Sequence, residues 1–122
     1  MKRILLVDDD EDFRLFLRET LESAGYLIET AAEGRGALRL VRRQAFDLVV
    51  TDLIMPGKEG LETIVELHGL NPGLKIIAIS GGGWLGPESC LAMAQQLGAA
   101  STLVKPFTSE EILESVGSVL NS

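Results

Sequence analysis

The chain has 122 residues, 46% of them hydrophobic, a formal net charge of −7 and a single cysteine. That length fits one domain over residues 1–122, and the apolar content excludes disorder. Cys90 has no partner for an internal disulfide, which suits a reducing compartment. The acidic balance speaks against direct DNA binding, which needs a basic patch, and no apolar run is long enough to span a membrane.

At the start, Met1-Lys2-Arg3 precedes Ile4-Leu5-Leu6-Val7 in the charge order of a signal peptide, but the apolar run stops after four residues at Asp8-Asp9-Asp10. The expected setting is therefore the cytoplasm. Residues 4–7 read as a strand buried on both faces. Asp8, Asp9 and Asp10 offer N-caps for a helix whose apolar stripe is Phe13, Phe16, Leu17, Leu21 and Ala24, stopped by Gly25. Residues 27–31 read as a weaker strand, 34–43 as a helix with Ala37, Leu38 and Val41 inward, and 48–51 as a third strand. Asp52 follows, ahead of a Pro56-Gly57 loop. Leu61, Ile64, Val65 and Leu67 mark a third helix, ended by Gly69 and Asn71-Pro72-Gly73. Residues 75–80 form the fourth strand, 81–86 a Gly-rich turn carrying Trp84 and Leu85, and 87–97 a helix begun by Pro87 and closed by Gly98. Residues 101–104 are the fifth strand. Ser109, Glu110 and Glu111 open a last helix with Ile112, Leu113, Val116, Val119 and Leu120 on its stripe.

Five strands alternating with five helices predict an α/β fold, a parallel sheet covered on both faces with right-handed crossovers. Ligands of such sheets bind beyond the carboxyl ends of the strands. Asp8 and Asp9 end the first strand, Asp52 the third, Ser80 the fourth and Lys105 the fifth. Any one of these could simply cap the next helix. Their convergence on one edge is the specific signal. Three carboxylates call for a compensating cation, and hard oxygen donors suit Mg²⁺. A carboxylate nucleophile, a divalent metal, a lysine and a hydroxyl are the parts that stabilise a transferring phosphoryl group.

Val7-Asp8-Asp9, Thr51-Asp52-Leu53-Ile54-Met55-Pro56, Ile79-Ser80-Gly81 and Val104-Lys105-Pro106-Phe107 resemble, in order and spacing, the receiver domain of bacterial two-component response regulators. The resemblance covers essentially the whole chain and implies a flavodoxin-like doubly wound sheet in order 2-1-3-4-5. It implies that Asp52 takes a phosphoryl group from the phosphohistidine of a sensor histidine kinase or histidine phosphotransfer protein. Mg²⁺ would be held by Asp9, Asp52 and the backbone carbonyl of Ile54, with Asp8 acting through water. Lys105 would pair with the phosphoryl group, its peptide bond to Pro106 would be cis, and Ser80 would bond a phosphoryl oxygen on activation. Such a protein is a switch with self-catalysed phosphorylation and dephosphorylation, not a conventional enzyme.

The chain departs from the family in places. Thr102 stands where an aromatic or His switch residue is common. The fourth helix lacks Lys and Arg and the fifth begins with glutamates, so the charged dimerisation pairs of DNA-binding members are absent and a monomer or weak dimer is expected. With no output domain after Ser122, a stand-alone receiver would act on an unidentified downstream protein or relay its phosphate. A haloacid-dehalogenase-type phosphatase, using Asp8-x-Asp10, and a never-phosphorylated pseudo-receiver are the alternatives. Asp10, Glu11 and Asp12 read as solvated helix-start residues, His68 as a surface residue, Cys90 and Met55 as packing, and Trp84 as either loop packing or a partner contact. Arg35, Arg39, Arg42 and Arg43 gather on the second helix, as a solvated face or a patch for an acidic partner.

Overall fold

The computed structural model describes residues 1–53, 60–80, 92 and 94–121. In chain order the elements are β1 (Arg3–Val7), α1 (Glu11–Ser23), β2 (Leu27–Ala31), α2 (Gly34–Arg43), β3 (Leu48–Asp52), α3 (Gly60–Leu70) and β4 (Lys75–Ser80). Residues 92 and 94–96 are helical and belong to α4. β5 (Ser101–Val104) and α5 (Ser109–Leu120) complete the set.

The five strands form one sheet in the order β2-β1-β3-β4-β5, and every neighbouring pair is parallel. The three inner strands are apolar almost throughout because helices cover both faces. Successive side chains alternate between those faces. Ile4, Leu6, Leu48, Val50, Ile77 and Ile79 pack with Leu17 and Leu21 of α1 and Ile112 and Val116 of α5. Leu5, Val7, Val49, Ile76 and Ala78 pack with Ala37 and Leu38 of α2 and Ile64 and Leu67 of α3. Each fully buried Leu or Ile contributes about 1.5–3 kcal/mol. β2 and β5 are the edges, which accounts for the weaker apolar signal of residues 27–31.

Helix ends follow local chemistry. Asp10 caps α1, its Oδ1 accepting from the backbone N–H groups of Asp12 and Phe13 at 3.0 and 3.2 Å. Gly25, with φ of 95°, takes the left-handed conformation that ends the helix. α5 opens at Ser109, as expected, and its cap is the preceding Thr108. Its hydroxyl accepts from Glu111 N–H while the Glu111 carboxylate accepts from Thr108 N–H, a reciprocal capping box.

Four packing expectations need correction. Ala24 is exposed as the C-cap of α1, because the helix stops before a further turn would bury it. Val65 is exposed, and the buried stripe of α3 is Gly60, Thr63, Ile64 and Leu67, the i, i+3, i+4, i+7 pattern of one helical face. Gly69 lies within α3 and does not end it. His68 is half-buried rather than a solvated surface residue. Its Nδ1 is buried without a hydrogen-bond partner among the described residues, and the ring packs against the backbone of Gly98.

Candidate functional site

The carboxyl edge of the sheet collects the predicted residues. β1 and β3 are adjacent, so Asp8, just past Val7, comes beside Asp52, the last residue of β3. Both are buried, whereas Asp9 is exposed. One carboxylate oxygen from each of Asp8, Asp9 and Asp52 lies within 4.8 Å of the other two. All of these donors are hard oxygens, and one of them is open to solvent. This is the donor set that suits Mg²⁺, which retains water ligands and accepts phosphate oxygens.

Lys105 enters from the end of β5. Its backbone N–H donates to the Ser80 carbonyl at 2.8 Å, which ties it to the end of β4. Its Nζ donates to Asp8 Oδ2 and to Asp52 Oδ2, each at 3.1 Å. The same Nζ lies 4.0 Å from the centroid of the Phe13 ring, a cation–π contact. Phe13 in turn meets the edge of Phe107, with centroids 5.5 Å apart. The Lys105-Pro106 peptide bond is cis, as the resemblance implied.

Electrostatics follow from this crowding. Burial raises the Asp8 pKa above the usual 3.8; the Asp10 N–H on Asp8 Oδ1 opposes it, the Asp52 charge adds to it, and Lys105 opposes it. Burial pulls Lys105 down, but the Asp52 and Asp8 carboxylates overcome it and hold the ammonium above 10.5. The cluster therefore sets a firmly charged lysine against an Asp8 carboxylate that burial and the Asp52 charge make harder to ionise.

Ser80 is fully buried at the end of β4, and its hydroxyl has no hydrogen-bond partner among the described residues. A buried hydroxyl left unmade costs about 1–3 kcal/mol. It is a donor held beside a carboxylate edge without a resting acceptor. Thr102 is half-buried in β5, opposite Ala78. Leu103 joins the α1–α5 side of the core, so Thr102 faces the other side of the sheet. Among the described residues its side chain makes no hydrogen bond to Ser80 or Lys105. Ile54, Met55, Trp84, Pro87, Cys90 and the Gly-rich turn lie outside the described residues.

Three contributors were not legible in the sequence as site residues. Phe13 reads as core, yet its ring supports Lys105. Arg14 Nη1 donates to the Asp8 carbonyl at 2.7 Å, fixing the turn that presents Asp8 and Asp9. Gly60 opens α3 against the acceptor strand. Its N–H donates to the Leu53 carbonyl at 3.0 Å, and a Cβ there would fall 2.4 Å from the Asp52 carbonyl oxygen and 2.4 Å from Leu53 Cα. A glycine immediately before a helical stripe and shortly after a candidate acceptor is the one signal available beforehand.

The Asp8-x-Asp10 phosphatase reading finds no support. Asp10 uses its carboxylate to cap the α1 N-terminus and is not among the carboxylates gathered with Asp8.

The model of one family, described as the response regulator receiver domain, matches residues 4–117. Protein CcdB of Bacillus subtilis is 35% identical over 98% of each chain. Sporulation initiation phosphotransferase F of the same organism is 31% identical, over 94% of this chain and 90% of its own. The crystal structure of a CheY-like receiver domain protein from Methanospirillum hungatei superposes with a TM-score of 0.92 at 31% identity, covering 99% of this chain and 94% of that one.

Proposed function

Because the chain belongs to the response regulator receiver domain family of two-component systems, we propose that Asp52 is its phosphoryl acceptor. The donor is a phosphohistidine on a sensor histidine kinase or histidine phosphotransfer protein. A carboxylate oxygen of Asp52 attacks phosphorus, the P–N bond to imidazole breaks, and an acyl phosphate forms while the histidine leaves. The observation that carries this reading is the Lys105 ammonium, 3.1 Å from both Asp52 and Asp8, beside the Asp8–Asp9–Asp52 carboxylate cluster.

Asp9 and Asp52, with the Ile54 carbonyl, would hold Mg²⁺ directly and Asp8 would act through water. When bound, the ion supplies charge neutralisation for the approaching phosphoryl oxygens. Lys105 pairs with the phosphoryl group once Asp52 is modified, and exchanges a carboxylate partner for a phosphate one. Ser80 donates its unused hydroxyl to a phosphoryl oxygen, which draws the end of β4 toward Asp52. Thr102, on the neighbouring strand where the family often has an aromatic, is the residue through which β5 responds. The output is altered binding of a partner protein or onward transfer of the phosphate. Similarity to a sporulation phosphotransferase supports the second route. No helix among the described residues is long and apolar enough to cross a membrane. The reading is of a cytoplasmic monomer or weak dimer that does not bind DNA directly and performs no chemistry beyond its own modification.

Incubation with Mg²⁺ and acetyl phosphate, followed by intact-mass measurement, tests the reading. The expected result is a mass gain of one phosphate that disappears in Asp52→Asn and on chelation of the metal. No gain in the wild type, as a pseudo-receiver would give, or an equal gain in Asp52→Asn, overturns it.

A further inference from the structure

We propose that the arginine face of α2, with the groove between α2 and α3, is a docking surface for an acidic helical segment of a partner protein. Arg35, Arg39, Arg42 and Arg43 stand at i, i+4, i+7 and i+8 and so share one face of α2. The opposite face is buried through Gly34, Ala37 and Leu38. All four arginines are exposed, and none has an ion pair or side-chain hydrogen bond among the described residues. The whole chain carries 11 Lys and Arg against 18 Asp and Glu, so four of its 11 cations on one helix face is a strong segregation.

Helix stability explains only part of this pattern. Arg42 and Arg43 in the last turn complement the helix dipole. Arg35 lies in the first turn, where a cation is unfavourable, and Arg35 and Arg39 are a like-charged i, i+4 pair. α2 has no acidic residue to offset them. Two of the four arginines therefore weaken the helix they stand on, and a negatively charged occupant removes that penalty.

The adjoining groove indicates what kind of occupant. It has a volume of about 490 Å³, an apolar floor that includes Val41, Phe46, Leu70 and Leu74, and Arg42 and Arg43 on its lip. Leu70 is 45% exposed. A floor of this kind accepts an apolar side chain, which a phosphodiester backbone does not offer. The net charge of −7 also repels an extended polyanion at long range. The arginine row is roughly 12 Å long at 1.5 Å per residue, about two turns. It matches a helix carrying carboxylates at i, i+4 and i+7 and an apolar anchor beside them. Phe46 and Leu74 precede β3 and β4, so the groove opens at the amino edge of the sheet, opposite Asp52. The groove end of the surface is thus set apart from the acceptor cluster.

The test is an NMR titration of the ¹⁵N-labelled full chain with a stapled helical peptide bearing Glu at i, i+4 and i+7 and a flanking Leu. Shifts are expected in residues 35–43 and 70–74, with affinity falling about tenfold in the Arg39→Glu/Arg42→Glu double variant. That variant is expected to stay folded and to keep its modification by acetyl phosphate, which separates loss of docking from loss of the acceptor. Should it fail to fold, Arg35→Gln/Arg39→Gln is the substitute, with a smaller but measurable loss. Equal binding of a peptide with Gln in place of Glu, or unchanged affinity in the variants, overturns the proposal. So does tighter binding of a short DNA duplex, which would make the face a nucleic-acid surface.

Discussion

Lys105 Nζ stands 3.1 Å from Asp52 Oδ2, and so holds the proposed acceptor in a partly buried ion pair before any phosphoryl group arrives. Asp52 also belongs to the carboxylate cluster a divalent cation would use, so lysine and metal compete for negative charge. In Lys105→Met, which keeps an unbranched side chain of similar length, the metal-free protein should lose about 3 kcal/mol, because two buried carboxylates lose their counter-charge. Its Mg²⁺ affinity should rise by about tenfold or more, since a repelling cation is gone. Calorimetric titration and thermal melts with and without Mg²⁺ measure both; unchanged affinity would remove the competition. The raised Lys105 pKa also sets an alkaline limit. Its stabilisation is fully present below 10.5 and is lost as pH climbs through the higher folded value.

Asp8 gives the opposite sign of stability effect. Its folded pKa is raised above 3.8 by burial, so the ionised form is a burden on the metal-free fold. The contribution of this group is fully present below 3.8 and is lost as pH rises through its folded value. Asp8→Asn keeps an acceptor for the Asp10 N–H and removes the charge. At neutral pH in chelator, its Tm should exceed the wild type by about 4 °C per kcal/mol recovered, and the difference should vanish near pH 3.8. A lower Tm at neutral pH would show that the pairing with Lys105 outweighs burial.

Ser80 carries the cost of an unused hydroxyl. Ser80→Ala should stabilise the unmodified protein by about 1 kcal/mol, because it deletes a buried donor with no partner. The same change should weaken stabilisation by the phosphoryl mimic beryllofluoride. Paired melts read the two effects; a uniform loss in both states would mean that Ser80 is simply structural.

Two glycines of α3 separate packing from propensity. Gly60→Ala puts a methyl 2.4 Å from the Asp52 carbonyl, so it should cost about 1–3 kcal/mol and slow modification of Asp52. Gly69→Ala meets nothing within 4 Å and should stabilise the helix by about 0.5–1 kcal/mol. Denaturant unfolding of the two variants decides it, and similar values for both would refute the steric account.

Most of the fold was legible because the sequence punctuates itself. The bounds of β2, α2, β4 and β5 coincide with those expected from apolar runs and turn residues. The convergence of Asp8, Asp9, Asp52 and Lys105 followed from topology alone, since parallel strands deliver their ends to one edge. What escaped was contact between elements distant in the chain. Phe13 fits an α1 stripe equally well whether it touches core or Lys105, and only the approach of β5 decides it. α5 begins at Ser109 as its residues indicate, and the spacing to Glu111 makes the preceding Thr108 its reciprocal cap. Val65 belongs to α3 but is carried to solvent, because it is rotated about 100° from Ile64.

The two apolar clusters meet opposite faces of one sheet and share no side chain. The sheet is thus a partition, and substitutions in one chamber should combine additively with those in the other. A lineage can rebuild the α2–α3 side, with whatever it recognises, while the α1–α5 side stays as inherited. The carboxyl edge is the exception, where Asp8, tied to β2 through Ala31, grips Lys105, which leans on Phe13 of the other chamber. Epistasis should concentrate at that seam, and drift elsewhere should proceed almost as it would in two separate proteins.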